Sequence, residues 1–130
     1  MLEIIEFLVK RGCKAVVIAC NTASAAAYEK LRDAYKGVVP VINVIDPMIE
    51  AVIADDEIKK VGVIGTKTTI ATGVYKEKFS RRKPALEYTE LATPLLASMI
   101  EEGFYNDSIS NVVLENYLSN ELLNGIDALV

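Results

Sequence analysis

The sequence predicts an α/β fold of parallel-sheet strand–helix repeats, on three observations. Residues 14–20 are a continuous apolar, β-branched run after Lys14, and 38–45 and 60–64 are likewise rich in Val and Ile, as in strands buried on both faces of a parallel sheet. A polar or glycine-bearing turn follows each run, and apolar residues at helical spacing follow each turn. Strands that alternate with helices in this way give parallel sheets joined by right-handed crossovers.

Residues 1–10 space Leu2, Ile5, Leu8 and Val9 for one helix face and stop at Arg11-Gly12. Residues 14–20 are the first strand. Asn21-Thr22 opens an alanine-rich helix that runs to Tyr35 and is closed by Lys36-Gly37. Residues 38–45 are the second strand. Asp46 is expected as the next N-cap, with Pro47 at the first helical position. Met48, Ile49, Val52 and Ile53 form the inward face of that helix.

The pattern then repeats. Residues 60–64 are a buried strand, Gly65-Thr66 a turn, and one helix begins near Thr68 or Thr69 with Ile70, Val74 and Phe79 inward. Residues 86–91 alternate as a strand. Residues 94–102 are a helix with Leu95, Leu96, Met99 and Ile100 inward, stopped by Gly103. Ile109, Val112, Val113 and Tyr117 mark a further helix, and residues 127–130 begin a strand. A helix at the start and an unfinished strand at the end give the expectation of a portion of a longer enzyme.

Composition narrows the chemistry. Of the 130 residues, 52% are hydrophobic and 25% charged, a globular balance that excludes a disordered chain. The net charge is −4, with 14 basic against 18 acidic residues, which does not suit a nucleic-acid backbone. Arg81-Arg82-Lys83 is too short to change that. No apolar run reaches the roughly 18 residues that cross a bilayer, so no membrane partner is expected. There is no His, which excludes Ser/His/Asp triads, Cys/His dyads and His-ligated zinc within this chain. Two cysteines are too few for a disulfide scaffold, so the expected compartment is the reducing cytoplasm. Cys13 and Cys20 stand at opposite ends of one strand, roughly 23 Å apart if extended, and a disulfide needs about 7 Å or less.

Ligands of open parallel sheets bind beyond the carboxyl ends of the strands. Two corners of that kind stand out. At the first, Cys20 ends a strand just before a helix, where the positive end of the helix dipole favours thiolate. Asn21 and Thr22 add side-chain donors, and a helix N-terminus accepts a carboxylate. The same residues also fit a buried cysteine with capping neighbours. At the second, Gly65 permits a tight turn and Thr66, Thr68 and Thr69 offer hydroxyls; an anion cradle is one reading, but an ordinary N-cap, which Thr provides routinely, is the favoured one from the residues alone. Neither corner carries a dinucleotide or Walker fingerprint. Glu101-Glu102 ends a helix where acids oppose the dipole, which leaves one of them open to a task elsewhere; from spacing alone two solvated acids are the favoured reading.

Taken together, these stretches resemble glutamate racemases, of the aspartate/glutamate racemase superfamily. Ala-Val-Val-Ile-Ala-Cys-Asn-Thr-Ala-Ser-Ala at 15–25 is close to the family's first cysteine motif. Val-Gly-Val-Ile-Gly-Thr-Lys-Thr-Thr-Ile at 61–70 resembles its second-domain motif. Thr93-Pro94 through Glu101-Glu102-Gly103 resembles its Cys-Pro…Val-Glu-x-Gly stretch, with Thr93 where many members have Cys and residues 97–100 altered. Aspartate racemases tend to carry His after Cys-Asn-Thr-Ala; Ser24 stands there, which tilts the substrate toward glutamate.

The resemblance implies two α/β domains facing across an active-site cleft. Residues 1–46 would be the latter part of the first domain and 47–130 most of the second, cut before its catalytic strand end. It implies interconversion of L- and D-glutamate by two-cysteine proton transfer, D-glutamate being supplied to peptidoglycan. It implies no pyridoxal phosphate, metal or nucleotide, and a homodimer for the full-length enzyme. Cys20 would be one base, Glu101 would poise the partner side, and Asn21, Thr22, Thr66 and Thr69 would bind substrate. The family's N-terminal Asp-Ser-Gly, its Tyr-Gly loop and its second Cys-Thr-His motif are missing, so this chain alone is expected to be inactive. Aspartate racemase, another superfamily member, and a carboxylate- or phosphate-binding flavodoxin-like module are the competing readings.

Overall fold

The structure, a computed structural model, describes residues 1–105 and 108–130. It is α/β, with parallel pairing throughout its two sheets. Two compact units divide the chain, Met1–Glu50 and Ala51–Val130, and the division falls within one helix.

In the first unit, α1 (Leu2–Lys10) leads to β1 (Val16–Ile18), α2 (Asn21–Ala34), β2 (Val41–Asn43) and the start of α3 (Ile45–Ala54). β1 and β2 pair in parallel, Val16 opposite Val41, Val17 opposite Ile42 and Ile18 opposite Asn43. Ile5, Val16, Ile18, Leu31, Val39 and Val41 form the core, with Ala23, Ala27 and Tyr28 of α2 packed against it. The small alanines let α2 lie close on the strands.

Three expectations are corrected here. The strands are shorter than the apolar runs, three residues each, because only those residues pair. They are buried on one face only. Val17 and Ile42, direct cross-strand neighbours, are 59% and 44% exposed. Both helices of this unit's core pack on the face of Val16, Ile18 and Val41, and side chains alternate along a strand. Cys20 likewise lies beyond the paired residues and is exposed rather than buried. Finally, α3 begins at Ile45, not after an Asp46 cap. The buried Asn43 caps it instead, its Oδ1 accepting from the Ile45 and Asp46 amides, each at 2.8 Å. Its Nδ2 donates to Asp46 Oδ2 at 2.7 Å, so Asp46 serves as the reciprocal partner within the first turn.

In the second unit, β3 (Lys60–Gly65) lies between β4 (Glu87–Ala92) and β5 (Ala128–Leu129). Val61 and Val63 are fully buried, as a central strand requires. Gly62 is the most closely packed of the glycines: a Cβ built there would stand 3.1 Å from both Ile126 Cδ1 and Leu123 Cδ2. Asp127 fastens the start of β5. Its Oδ2 accepts from the amides of Lys59 and Lys60, each at 2.8 Å, and its own amide donates to the Lys60 carbonyl at 2.8 Å. Those two amides hold its carboxyl below the usual range.

The single helix expected after Gly65 is two: α4 (Lys67–Ala71) and α5 (Val74–Arg82). Gly73, at φ +65°, breaks them, since a left-handed residue cannot continue a right-handed helix. Tyr75 and Phe79 are the buried residues of α5. Tyr88 of β4 meets the Phe79 ring at 5.9 Å and donates to Glu90; burial, then that bond, raises its phenol. The chain continues through α6 (Pro94–Glu101), α7 (Ser108–Leu118) and a 3-10 turn at Glu121–Leu123 that the sequence did not announce. The expected inward faces are only partly so. Leu95 and Ile100 of α6, and Ile109 and Val112 of α7, are each more than half exposed. A small apolar groove of about 250 Å³, lined by Leu96, Met99, Phe104 and Leu114 among others, lies between these helices.

Candidate active site

The first corner joins β1 to α2. Cys20 occupies the N-cap with an extended backbone (φ −88°, ψ 123°), and its carbonyl accepts the Ser24 amide at 2.8 Å. Its side chain makes no capping bond. The corner is instead tied by Ser24, 3% exposed, whose Oγ donates to the Ile18 carbonyl at 2.9 Å. That bond turns α2 back onto the end of β1 and leaves the thiol exposed ahead of a fourteen-residue helix. Asn21 and Thr22 are the first two residues of that helix, so the structure brings the three together at its positive end.

Asn43 is a site residue that the reading of the sequence missed. It ends β2 opposite Ile18, so the Cys20 and Asn43–Asp46 segments leave the sheet side by side at its carboxyl edge. The available signal is one polar residue closing an apolar strand just before Asp-Pro. An open depression of about 540 Å³ beside it is lined by Tyr28, Ile42, Asn43, Asp46, Pro47 and Glu50, among others.

The second corner joins β3 to α4. Thr66 is the N-cap, its Oγ1 accepting from the Thr69 amide at 3.1 Å. The Thr66 and Thr69 hydroxyls stand 3.0 Å apart. Thr69 is buried and Thr66 only partly so, which leaves Thr66 as the hydroxyl nearer solvent. Thr93, also buried, joins the corner from β4: its amide donates to the Gly65 carbonyl at 2.8 Å, and its Oγ1 lies 3.4 Å from the same oxygen. Glu101 is exposed and ends α6. Thr93 caps that helix, and an eight-residue helix rises about 12 Å along its axis. Glu101 thus stands at the far end of α6 from Thr93.

Among the described residues no group of three or more Cys, Asp or Glu side chains is placed to hold a metal ion. No helix among them is long and apolar enough to cross a membrane.

Comparison with known proteins supplies what the corners alone do not. The profile of the family described as Asp/Glu/Hydantoin racemase matches residues 1–116. The chain belongs to that family. It is 39% identical over 129 residues to a glutamate racemase from Geobacter metallireducens, covering 99% of this chain and 47% of that protein. It is 40% identical to one from Corynebacterium diphtheriae, again over 99% of this chain and 48% of the relative. Among solved structures, a glutamate racemase from Francisella tularensis in complex with D-glutamate superposes with a TM-score of 0.84 at 37% identity, covering 95% of this chain and 45% of that one. The isoform RacE1 from Bacillus anthracis gives a TM-score of 0.85 at 33% identity, covering 98% and 47%. This family member thus spans about half the length of the glutamate racemases it matches.

Proposed function

We propose that this chain carries one half of a cofactor-independent glutamate racemase, with Cys20 as one of its two proton-transfer groups. The observation that carries the reading is an exposed thiol at the N-cap of α2, in a family member whose relatives are named for this reaction. On this reading residues 1–46 and 47–130 correspond to parts of the two racemase domains.

Racemisation removes the weakly acidic Cα proton of glutamate from one face and returns a proton to the other. A thiolate on one side abstracts; a thiol on the other donates; the roles exchange for the opposite enantiomer. Cys20 Sγ is the abstracting or donating atom on its side. The substrate carboxylate is held by the helix terminus and the Asn21 and Thr22 side chains, whose dipoles oppose the charge that develops toward the carbanion. Thr66 offers a second hydroxyl, and Thr69 holds Thr66 in place through the bonds described above. Glu101 poises the partner acid on the opposite side.

Cys13 is the other thiol, and it lies before β1 while Cys20 lies after it. It does not serve the opposite face of a substrate at Cys20, so the second acid comes from residues outside this sequence. Two exposed free cysteines suit a reducing compartment, the cytoplasm. The D-glutamate formed goes to peptidoglycan, and the full-length enzyme acts as a homodimer.

A chimera tests the assignment: this chain in place of the matched segment of the Geobacter relative. Circular dichroism of glutamate over time should show racemisation, and Cys20→Ser should lower it by about 10² to 10⁴. Turnover that survives Cys20→Ser removes the role of Cys20. Turnover of aspartate in preference to glutamate moves the substrate class.

A further inference from the structure

The segment that joins α3 to β3 carries three consecutive carboxylates, Asp55, Asp56 and Glu57. Its carbonyl oxygens, however, are turned onto cations. Lys83, half-buried just after α5, places Nζ 2.9 Å from the Asp55 carbonyl and 3.4 Å from those of Ile53 and Ile58. An ammonium group has three N–H donors and no acceptor, so three carbonyls take one proton each. Ile53 lies in the last turn of α3, where carbonyls lack intrahelical partners and the dipole favours positive charge. A second ammonium, that of Lys59, donates to the carbonyl of Asp56.

We propose that the 53–58 segment is a site for a small monovalent cation such as ammonium or potassium, which Lys83 fills with its own ammonium. Convergent backbone carbonyls are ligands that replace the hydration shell of such ions, and the acidic run beside them adds negative potential. The bound charge, rather than the packing of the lysine stem, is what orders the segment. The segment leads directly into β3, the central strand of its sheet.

Two measurements test this. In the intact chain, nitrogen-detected NMR of the lysine side chains should show the Lys83 ammonium, held by three carbonyls, exchanging with water much more slowly than the other lysines, Lys59 and Lys60 with one carbonyl each included; exchange at their rate overturns the proposal. In Lys83→Met, which keeps the stem and removes the charge, hydrogen exchange across residues 54–59 should speed up about tenfold. Ammonium or potassium chloride should restore at least half of the lost protection, while tetramethylammonium chloride at the same ionic strength should not. No loss of protection, loss that neither small cation restores, or equal restoration by tetramethylammonium each overturns it. Should Lys83→Met not fold, the ammonium signal of the intact chain decides alone.

Discussion

The hydroxyl of Ser24 donates to the carbonyl of Ile18 at 2.9 Å, across the turn that presents Cys20. Ser24 is buried, so the bond is shielded from water on the core side of α2. It converts a strand end and a helix start into one rigid corner. Ser24→Ala leaves the Ile18 carbonyl without that partner. The expected cost is about 1–3 kcal/mol, read as a lower urea midpoint with an unchanged slope. A midpoint equal to that of the parent chain would show that the corner is held by packing alone.

Cys20 and Cys13 are both free and both exposed, so access to solvent does not separate them. Their backbone surroundings do. Cys20 faces the positive end of α2, whereas Cys13 follows α1 and donates its amide to the Leu8 carbonyl at that helix's negative end. Alkylation near neutral pH, followed by peptide mass spectrometry, is expected to modify Cys20 first. Faster modification of Cys13 in the folded chain would argue against Cys20 as the proton-transfer thiol.

Gly62→Ala places a methyl group 3.1 Å from the side chains of Ile126 and Leu123 in the middle of β3. Leu123 is buried and Ile126 partly so, and both must give by a few tenths of an ångström to admit it. Overpacking of this kind costs about 1–3 kcal/mol. Thermal melts should show a lower Tm, whereas Ala at Gly37, where a Cβ meets nothing within 4 Å, would be destabilising only through its φ of +81°.

Asp127 titrates below its ordinary value because two amides donate to it in the folded chain. The sign follows directly: a depressed carboxylate stabilises the fold above its unfolded-state value and loses that contribution as pH falls through the folded one. Denaturation of the parent chain should therefore become easier on acidification through the carboxylate range. Asp127→Asn should be less stable at neutral pH and flatter across that range. A parallel pH profile for the two proteins would assign the acid sensitivity to other carboxylates.

Much of this architecture is legible in the residues alone. Runs of β-branched residues at 14–20 and 60–64 announce β1 and β3, and the Cys20 and Gly65 corners close them as strand-to-helix turns. Local chemistry decides such features: an apolar run has few ways to satisfy its backbone, and a threonine before a helix has a defined place at its terminus. What the residues left open was settled by long-range packing. Asn43 became the cap of α3 because parallel pairing with Ile18 buries it, and a buried amide must find partners; here they are Ile45 and Asp46. The helix after Thr66 divides at Gly73, which apolar spacing read across. Val17, Ile42, Leu95 and Ile100 have the composition of core residues, yet the described elements leave them exposed. A side chain's hydrophobicity states what it would gain from burial, but only the tertiary structure determines whether anything stands opposite to bury it. The same holds for the Lys83 ammonium. Nothing in the sequence connects it to Ile53, Asp55 and Ile58, and folding alone brings those carbonyls to one point.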